Sequence, residues 1–271
     1  MSFIAPCTEH YGCSPGSLVL YSRDPGKVYF VQCRSCNIIW KDTTTATEER
    51  SYDETYFANR GYDKNLEHRI QKSHMLLALL EQHTRKGRLL EIGPALGYTM
   101  MAAQERGWRT EGLDISDYVI QNAPSWGLDI QKGSLTEHDK KQSSYKAIVL
   151  RHVLEHYKDP FKAMQEVHGL LAEDGSVLIA LPNADYTHAK RLREKHKFYK
   201  FEKGGKEHYA YFTYETIKRM LEHTGFDVMQ ENIPVLVQGD NSPARIIDRT
   251  ARRALSALGL DQELIVVAKK R

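Results

Sequence analysis

The segment LLEIGPALGYTM at 89–100 constrains this chain more than any other stretch. Leu89, Leu90 and Ile92 make a short apolar strand, predicted over Arg88–Gly93, and glycines at 93 and 97 carry it into a helix running to about Arg106. A strand that turns sharply into a helix leaves the first N–H groups of that helix free to face a polar ligand. Gly93 and Gly97 allow the sharp turn and a close approach of backbone to ligand. Ala95 lacks that freedom, so an ordinary backbone conformation is expected there. A second strand, at Thr110–Asp114 within EGLDIS, ends on Asp114. A carboxylate at that place accepts both hydroxyls of a ribose, which indicates an adenosine-bearing ligand.

From about residue 65 the chain alternates helix and strand. Residues 65–84 carry Ile70, Met75, Leu76, Leu79 and Leu80 at helical spacing. Further strands are predicted at Leu128–Gln131, Tyr145–Arg151, Ser176–Leu181, Phe226–Gln230 and Glu263–Ala268. Helices are predicted after Ser116 and at Phe161–Leu171, Tyr214–Thr224 and Ala244–Leu258, with Gly225 closing the third of these. This order implies an α/β fold, a Rossmann-like doubly wound, mostly parallel seven-stranded sheet with helices on both faces. The last connection leaves an antiparallel edge open. Ligands on such a sheet sit at the carboxyl ends of the first strands.

The first 45 residues differ. Short β-type runs (Ser17–Tyr21, Lys27–Gln32, Ile38–Lys41) alternate with turn signals such as Asp24-Pro25-Gly26, and every cysteine of the chain falls here, at 7, 13, 33 and 36. No run approaches the ~20 apolar residues of a membrane span. The N-terminus lacks a basic-then-apolar export signal, so a cytoplasmic location is expected and disulfides are not. Clustered thiols then read as metal ligands. Cys33-x-x-Cys36 is a strong knuckle, and Cys7 with Cys13 is a looser pair, the two together placing thiolates on successive β-turns for a four-thiolate structural zinc site. His10 is an alternative ligand in place of Cys7. So short a segment has too little core to fold alone, and a metal remedies that. The domains expected are a zinc-ribbon-like module at 1–45, an aromatic lid or linker at 46–64, and a ligand-binding domain at 65–271. A net charge of +3 is too small to argue for nucleic-acid binding.

The glycines fall as Glu-x-Gly-x-Ala-x-Gly, not as the G-x-G-x-x-G of a dinucleotide site. The segment resembles the first motif of class I S-adenosylmethionine-dependent methyltransferases, with Ala95 in place of the middle glycine. YKAIVLRHVLEHYKDP at 145–160 is similar to that family's fourth strand and turn, and DGSVLIALPN at 174–183 to its fifth strand. HYAYFTYETIKRMLEHTGFDV at 208–228 is similar to the C-terminal block of its small-molecule members. The resemblance implies S-adenosylmethionine as cofactor, Glu91 near its methionine moiety, and Gly93, Ala95 and Gly97 in the turn. It implies Asp114 on the ribose, and Ile115, Tyr56 and Arg151 against the cofactor. In GSLTE at 133–137, Ser134 stands where relatives carry an acidic residue, so adenine contact falls to Ser134 and the backbone of Leu135. Zinc-ribbon-like extensions also precede methyltransferase domains in some bacterial proteins acting on sugars and secondary metabolites.

His152, His156 and His208 are candidate general bases, since a pKa near 6.5 suits taking a proton from a hydroxyl or amine. Local packing is the alternative for each, and methyl transfer by proximity needs no base. HVLEH at 152–156 also spells the H-x-x-E-H of inverted zinc peptidases. Asp159-Pro160 follows too soon for the sustained helix that motif needs. Tyr52, Tyr56, Phe57 and Tyr62 predict an aromatic lid, and a second cover is expected at 186–212. Its portion 187–206 holds eight Lys or Arg against two Glu. That portion reads as a solvated loop, a site for an anionic metabolite or, least favoured, a single-strand binding surface. The expected partner is a small-molecule acceptor, an anionic one included, and methyl transfer to a hydroxyl, amine or carbon of a sugar or natural-product intermediate is the expected function. RNA-directed transfer and a non-catalytic cofactor-binding module are the alternatives.

Overall fold

The computed structural model describes residues 3–23, 29–44, 51–59, 61, 66–185, 207–230 and 263–271. The turn at Asp24-Pro25-Gly26, Tyr62, the basic stretch 187–206 and the helix at Ala244–Leu258 lie outside those residues.

Helix α1 (Pro6–Tyr11) begins on a proline whose fixed φ suits a first turn and ends on Gly12 at φ 65°. Cys7 lies inside this helix and Cys13 just past its cap, so the first thiol pair sits on a helix end and not on the expected β-turn. Antiparallel strands β1 (Leu18–Arg23), β2 (Tyr29–Cys33) and β3 (Ile39–Lys41) follow. Helix α2 (Glu54–Asn59) precedes α3 (Leu66–Leu80), which buries Ser73, Leu76, Leu77 and Leu80 along one face.

The alternation then runs β4 (Arg88–Ile92), α4 (Tyr98–Glu105), β5 (Arg109–Asp114), α5 (Asp117–Asn122), β6 (Ile130–Lys132) and β7 (Tyr145–Arg151). It continues with α6 (Pro160–Leu170), β8 (Leu171–Pro182), β9 (Ala210–Tyr211), α7 (Tyr214–His223), β10 (Phe226–Gln230) and β11 (Glu263–Lys270). Side chains cap the helices where the sequence offers them. Ser116 accepts the Val119 N–H at 3.2 Å to start α5. Asp159 accepts the N–H groups of Phe161 and Lys162 at 3.1 and 3.2 Å, with Pro160 opening α6. Thr213 and Thr216 form a capping box at α7.

The main sheet has the order β10-β11-β8-β7-β4-β5-β6 and is the expected doubly wound Rossmann-like sheet. Strands β8, β7, β4, β5 and β6 are parallel. Strand β11 runs antiparallel to both neighbours, so the reversed strand lies one place in from the edge. The chain moves outward from β4 to β5 and β6, then returns to β7 on the other side of β4. That reversal opens a crevice at the carboxyl ends of these strands. Alternate strand residues divide between the faces. Leu89, Val149, Leu178 and Ile265 pack with Leu76, Leu77 and Leu80 of α3. Leu90, Ile148, Val177 and Val266 pack with Phe161 and Met164 of α6 and Ile217 and Leu221 of α7. Among the described residues, no helix is long and apolar enough to cross a membrane.

A second, four-stranded sheet has the order β1-β2-β3-β9. Its last strand comes from beyond β8, with Ile39 paired to Tyr211 and Trp40 to Ala210. The cysteines share one core with Trp40, Phe161 and Phe212. Phe161, fully buried, carries the junction: it stacks on His10 at 4.5 Å and Trp40 at 6.3 Å and meets Tyr11 edge-on at 4.9 Å. Phe161→Ala therefore removes contacts to α1, β3 and the main sheet together. The expected loss in urea denaturation is about 3–5 kcal/mol. A loss below about 1 kcal/mol, typical of an ordinary site, would show that the junction does not run through this ring.

Candidate active site

A cleft opens where the topology requires, at the carboxyl ends of the parallel strands. Ile92, Gly93 and Ala95 line it after β4, Leu113, Asp114 and Ile115 after β5, and Gly133 and Ser134 after β6. Arg151, His152, Val153, His156 and Tyr157 line it after β7, and Tyr52, Tyr56 and Phe57 cover it. The lid is pinned by Ser116, whose Oγ donates to the Tyr52 carbonyl, and by Phe57 stacked on Tyr118 at 5.5 Å.

Gly93 and Gly97 stand at φ 62° and 74°. A Cβ on Gly93 would lie 2.7 Å from Val153 Cγ2, and one on Gly97 would lie 2.0 Å from Leu128 Cδ1. Gly97 is thus favoured by its left-handed backbone and by close packing against Leu128, and it is not on the cleft wall. Ala95 overturns the expectation of an ordinary backbone: it stands at φ 52°, in the left-handed region. Such a residue costs on the order of 1–3 kcal/mol. The compensation is visible, because its N–H donates to Asp114 Oδ2 at 3.1 Å.

Asp114 is 7% exposed, and its other oxygen accepts the Ser116 N–H at 2.9 Å. Burial raises its pKa, against the pull of the backbone N–H groups. Ile115 projects into the cleft, more than half exposed. Ser134 is on the wall, whereas Leu135 is buried behind it and donates its N–H to Tyr157 Oη at 3.1 Å. Glu91 is likewise off the wall. Burial pushes it up to about 7, although Arg151 and the Thr99 hydroxyl favour its charged form. Its Oε2 has no hydrogen-bond partner. Arg151 Nη1 donates to Ser73 Oγ at 3.1 Å and Thr99 Oγ1 at 2.8 Å. An orphaned buried carboxylate oxygen, a second buried carboxylate that lines the cleft at the next strand end and an apolar shelf at Ile115 fit a ligand with an adenosine and a cationic amino-acid part.

The HVLEH stretch forms a single 3-10 turn at Leu154–His156, too short to hold a peptidase zinc. His152 stands at φ 55° and donates its backbone N–H to the Ala180 carbonyl at 2.7 Å. Its ring lies 2.7 Å from Glu263 and 3.5 Å from Glu155. Its side chain is half exposed, and the two buried carboxylates beside it push its pKa up to about 9. His156 is on the wall, with Nδ1 3.2 Å from the Glu207 carbonyl oxygen. His208 is not; it packs edge-on to His156 at 4.8 Å, with Nε2 4.0 Å from Glu155 Oε1. Glu155 and Glu263 were not among the residues singled out from sequence. Glu155 stood inside the histidine motif, while Glu263 opens a remote strand and carries no local signal.

In the N-terminal segment the Sγ atoms of Cys7, Cys13, Cys33 and Cys36 all lie within 4.8 Å of one another, all buried. A hydrogen bond from Cys7, helped by the Ile38 backbone, draws Cys36 down to about 6 against the effect of burial. His10 is not part of this cluster. Its ring stacks on Phe161 and Nε2 lies 3.1 Å from Asp159 Oδ2.

The methyltransferase domain family model matches residues 62–231, more than half of the chain. No curated protein matches by sequence. Among solved structures, a chain from the complex between the Haloferax volcanii Trm112 methyltransferase activator and an inferred methyltransferase is 17% identical, with a TM-score of 0.60 over 82% of this chain and 99% of that one. An S-adenosylmethionine-dependent methyltransferase from Mesorhizobium loti is 19% identical, with a TM-score of 0.54 over 72% and 96%. The Burkholderia thailandensis 1,6-didemethyltoxoflavin-N1-methyltransferase, bound to 1,6-didemethyltoxoflavin and S-adenosylhomocysteine, is 14% identical, with a TM-score of 0.53 over 93% and 98%. The chain belongs to the methyltransferase domain family and is an S-adenosylmethionine-dependent methyltransferase.

Proposed function

We propose that the acceptor is a hydroxyl, amine or carbon of a small metabolite, held in the cleft beneath the aromatic lid. One observation carries this reading: Asp114 after β5 and His156 after β7 line the same cleft, with Tyr52, Tyr56 and Phe57 over it. In this reading Asp114 takes the ribose hydroxyls, Ile115 and Ser134 border the adenine, and Gly93 and Ala95 bring backbone close to the cofactor. Tyr56 and Arg151 complete that wall, with Glu91 buried behind it on the side of the methionine moiety. S-adenosylmethionine supplies, when bound, an electrophilic methyl group on a sulfonium. The chain's own share is to orient the acceptor, exclude water and take up its proton. A lid of aromatic rings suits an enclosed small acceptor better than a polymer. No feature of the described residues favours nucleic acid.

Asp114→Ala is expected to weaken S-adenosylhomocysteine binding by more than about tenfold, the loss of charge-assisted hydrogen bonds. Calorimetry measures it, with Asp114→Asn expected between the two because the amide keeps one acceptor. Unchanged affinity would remove Asp114 from the cofactor site.

The cysteine cluster supports a second part of the proposal, a structural zinc ion on Cys7, Cys13, Cys33 and Cys36. Zn–S bonds of about 2.3 Å in a tetrahedron set sulfurs about 3.8 Å apart, within reach of the observed spacing. Four thiolates leave no open position, so the ion would support the fold and take no part in methyl transfer. Elemental analysis of metal-replete protein is expected to give about one zinc per chain, lost in Cys36→Ser. Less than about half an equivalent in the unaltered chain would sink the site.

A further inference from the structure

Lys72, Glu263, His152 and Glu155 form a row of alternating charges beside the cleft. Lys72 Nζ of α3 pairs with Glu263 Oε2 at the start of β11. Glu263 Oε1 lies 2.7 Å from His152 Nε2, and Glu155 Oε1 lies 3.5 Å from His152 Nδ1. The two carboxylate side chains are only 15% and 2% exposed, and neither oxygen of Glu155 has a hydrogen bond. Charges so poorly hydrated need compensation, and Lys72 supplies it for one carboxylate alone. The row is neutral when His152 is an imidazolium and carries a buried negative charge when it is not. In the charged ring both nitrogens bear protons, and both face carboxylates. His152 then has no lone pair to offer a substrate.

His156 is held differently. A carbonyl oxygen only accepts, so the 3.2 Å contact to Glu207 fixes the proton on Nδ1 and leaves the lone pair of the neutral ring on Nε2. His156 lines the cleft, whereas His208 sits behind it.

We propose that His152 is a fixed cation clamped by Glu155 and Glu263, and that Nε2 of His156 takes the acceptor's proton. Glu155 and Glu263 are positioning residues for this arrangement. In the transfer the electrons of the acceptor's X–H bond stay on X, and the proton bonds to Nε2, turning His156 into an imidazolium whose Nδ1–H still faces Glu207. A carboxylate oxygen of Glu155 lies within 4.8 Å of a ring nitrogen of His156 and of one of His208, close enough to stabilise the charge that forms. Its surroundings are His152, His156, His208 and Tyr211, and those of His152 are Glu155 and Glu263 with Lys72 beyond. The pKa directions agree: Glu155 and Glu263 are held below the carboxylate range against the effect of burial, and the half-exposed His152 is lifted.

This assignment rests on methyl transfer to a protic acceptor, but its test needs neither acceptor nor cofactor. Histidine-ring NMR of the full chain is recorded against pH, with signals assigned through His152→Asn, His156→Asn and His208→Asn. The expected result is a His152 ring that titrates near 9 and falls by at least about one unit in Glu263→Gln, with His156 in the Nδ1–H form when neutral. Lys72→Met, which removes the neighbour that competes for Glu263, is expected not to lower the His152 titration. It keeps the test open should Glu263→Gln fold poorly. S-adenosylhomocysteine calorimetry reports whether each variant keeps its pocket. A His152 ring titrating near 6.5 in the unaltered chain, or a His156 ring in the Nε2–H form, would overturn the proposal while leaving the methyltransferase reading untouched.

The sign of the linkage gives an independent check. The contribution of a raised His152 is complete below its ordinary value of 6.5 and is lost as pH rises through about 9. The melting-temperature advantage of the unaltered chain over His152→Asn is therefore expected to shrink across that interval. A constant advantage would count against the clamp.

Discussion

The carboxylate of Asp114 is the contact on which the cleft depends. One oxygen holds the Ala95 N–H of the β4 turn and the other holds the Ser116 N–H that begins α5. Two loops from neighbouring parallel strands are thereby fixed to one side chain. The lid follows from the same point, because Ser116 also donates its hydroxyl to the Tyr52 carbonyl. Burying a carboxylate in this way is unfavourable unless backbone N–H groups repay it, and here they do. The residue assigned to the ribose thus also shapes the turn beneath it.

The N-terminal segment is tied to the same region by backbone pairing. Strand β9 completes the cysteine-bearing sheet, and just before it Tyr209 donates its N–H to the Glu155 carbonyl at 2.7 Å. Lys41 of β3 in turn donates to the Tyr209 carbonyl at 2.9 Å. A continuous ladder therefore runs from the knuckle strands to the turn that carries Glu155 and His156. Order at the cysteines is order at the histidine wall.

Much of this was legible in the sequence because its signals were local. Strand β7 was read to the residue, since a largely apolar run of seven residues with Ile148 and Val149 at its centre suits a buried strand better than a helix. The Gly-rich turn and Asp114 were found by spacing. The failures are non-local. Ala95 looked too constrained for a left-handed position because the carboxylate that holds it lies 19 residues on. Strand β8 begins at Leu171, five residues ahead of Ser176, because Leu171 pairs with Tyr145 of β7 across an irregularity that takes in Asp174-Gly175, a pair that reads as a stop. Strand β9 is two residues long, with no period to detect, and exists only by pairing with β3. Glu263 meets His152 across 111 residues of chain, and no pattern in either segment announces it.

The two strained side-chain-bearing positions on the cleft wall obey one rule. Ala95 after β4 and His152 after β7 both stand at positive φ, and each is held there by a carboxylate supplied from another strand's end. For Ala95 the carboxylate binds the backbone, so a small side chain suffices. For His152 it binds the ring, so the residue must carry a charge that matches it. A left-handed residue points its side chain away from the path of an ordinary strand end. Strain at these two points therefore opens the crevice on both sides of β4, where the sheet topology had already placed it. The binding surface is made by carboxylates that the fold could bury only with partners, and those partners set the geometry of the cleft.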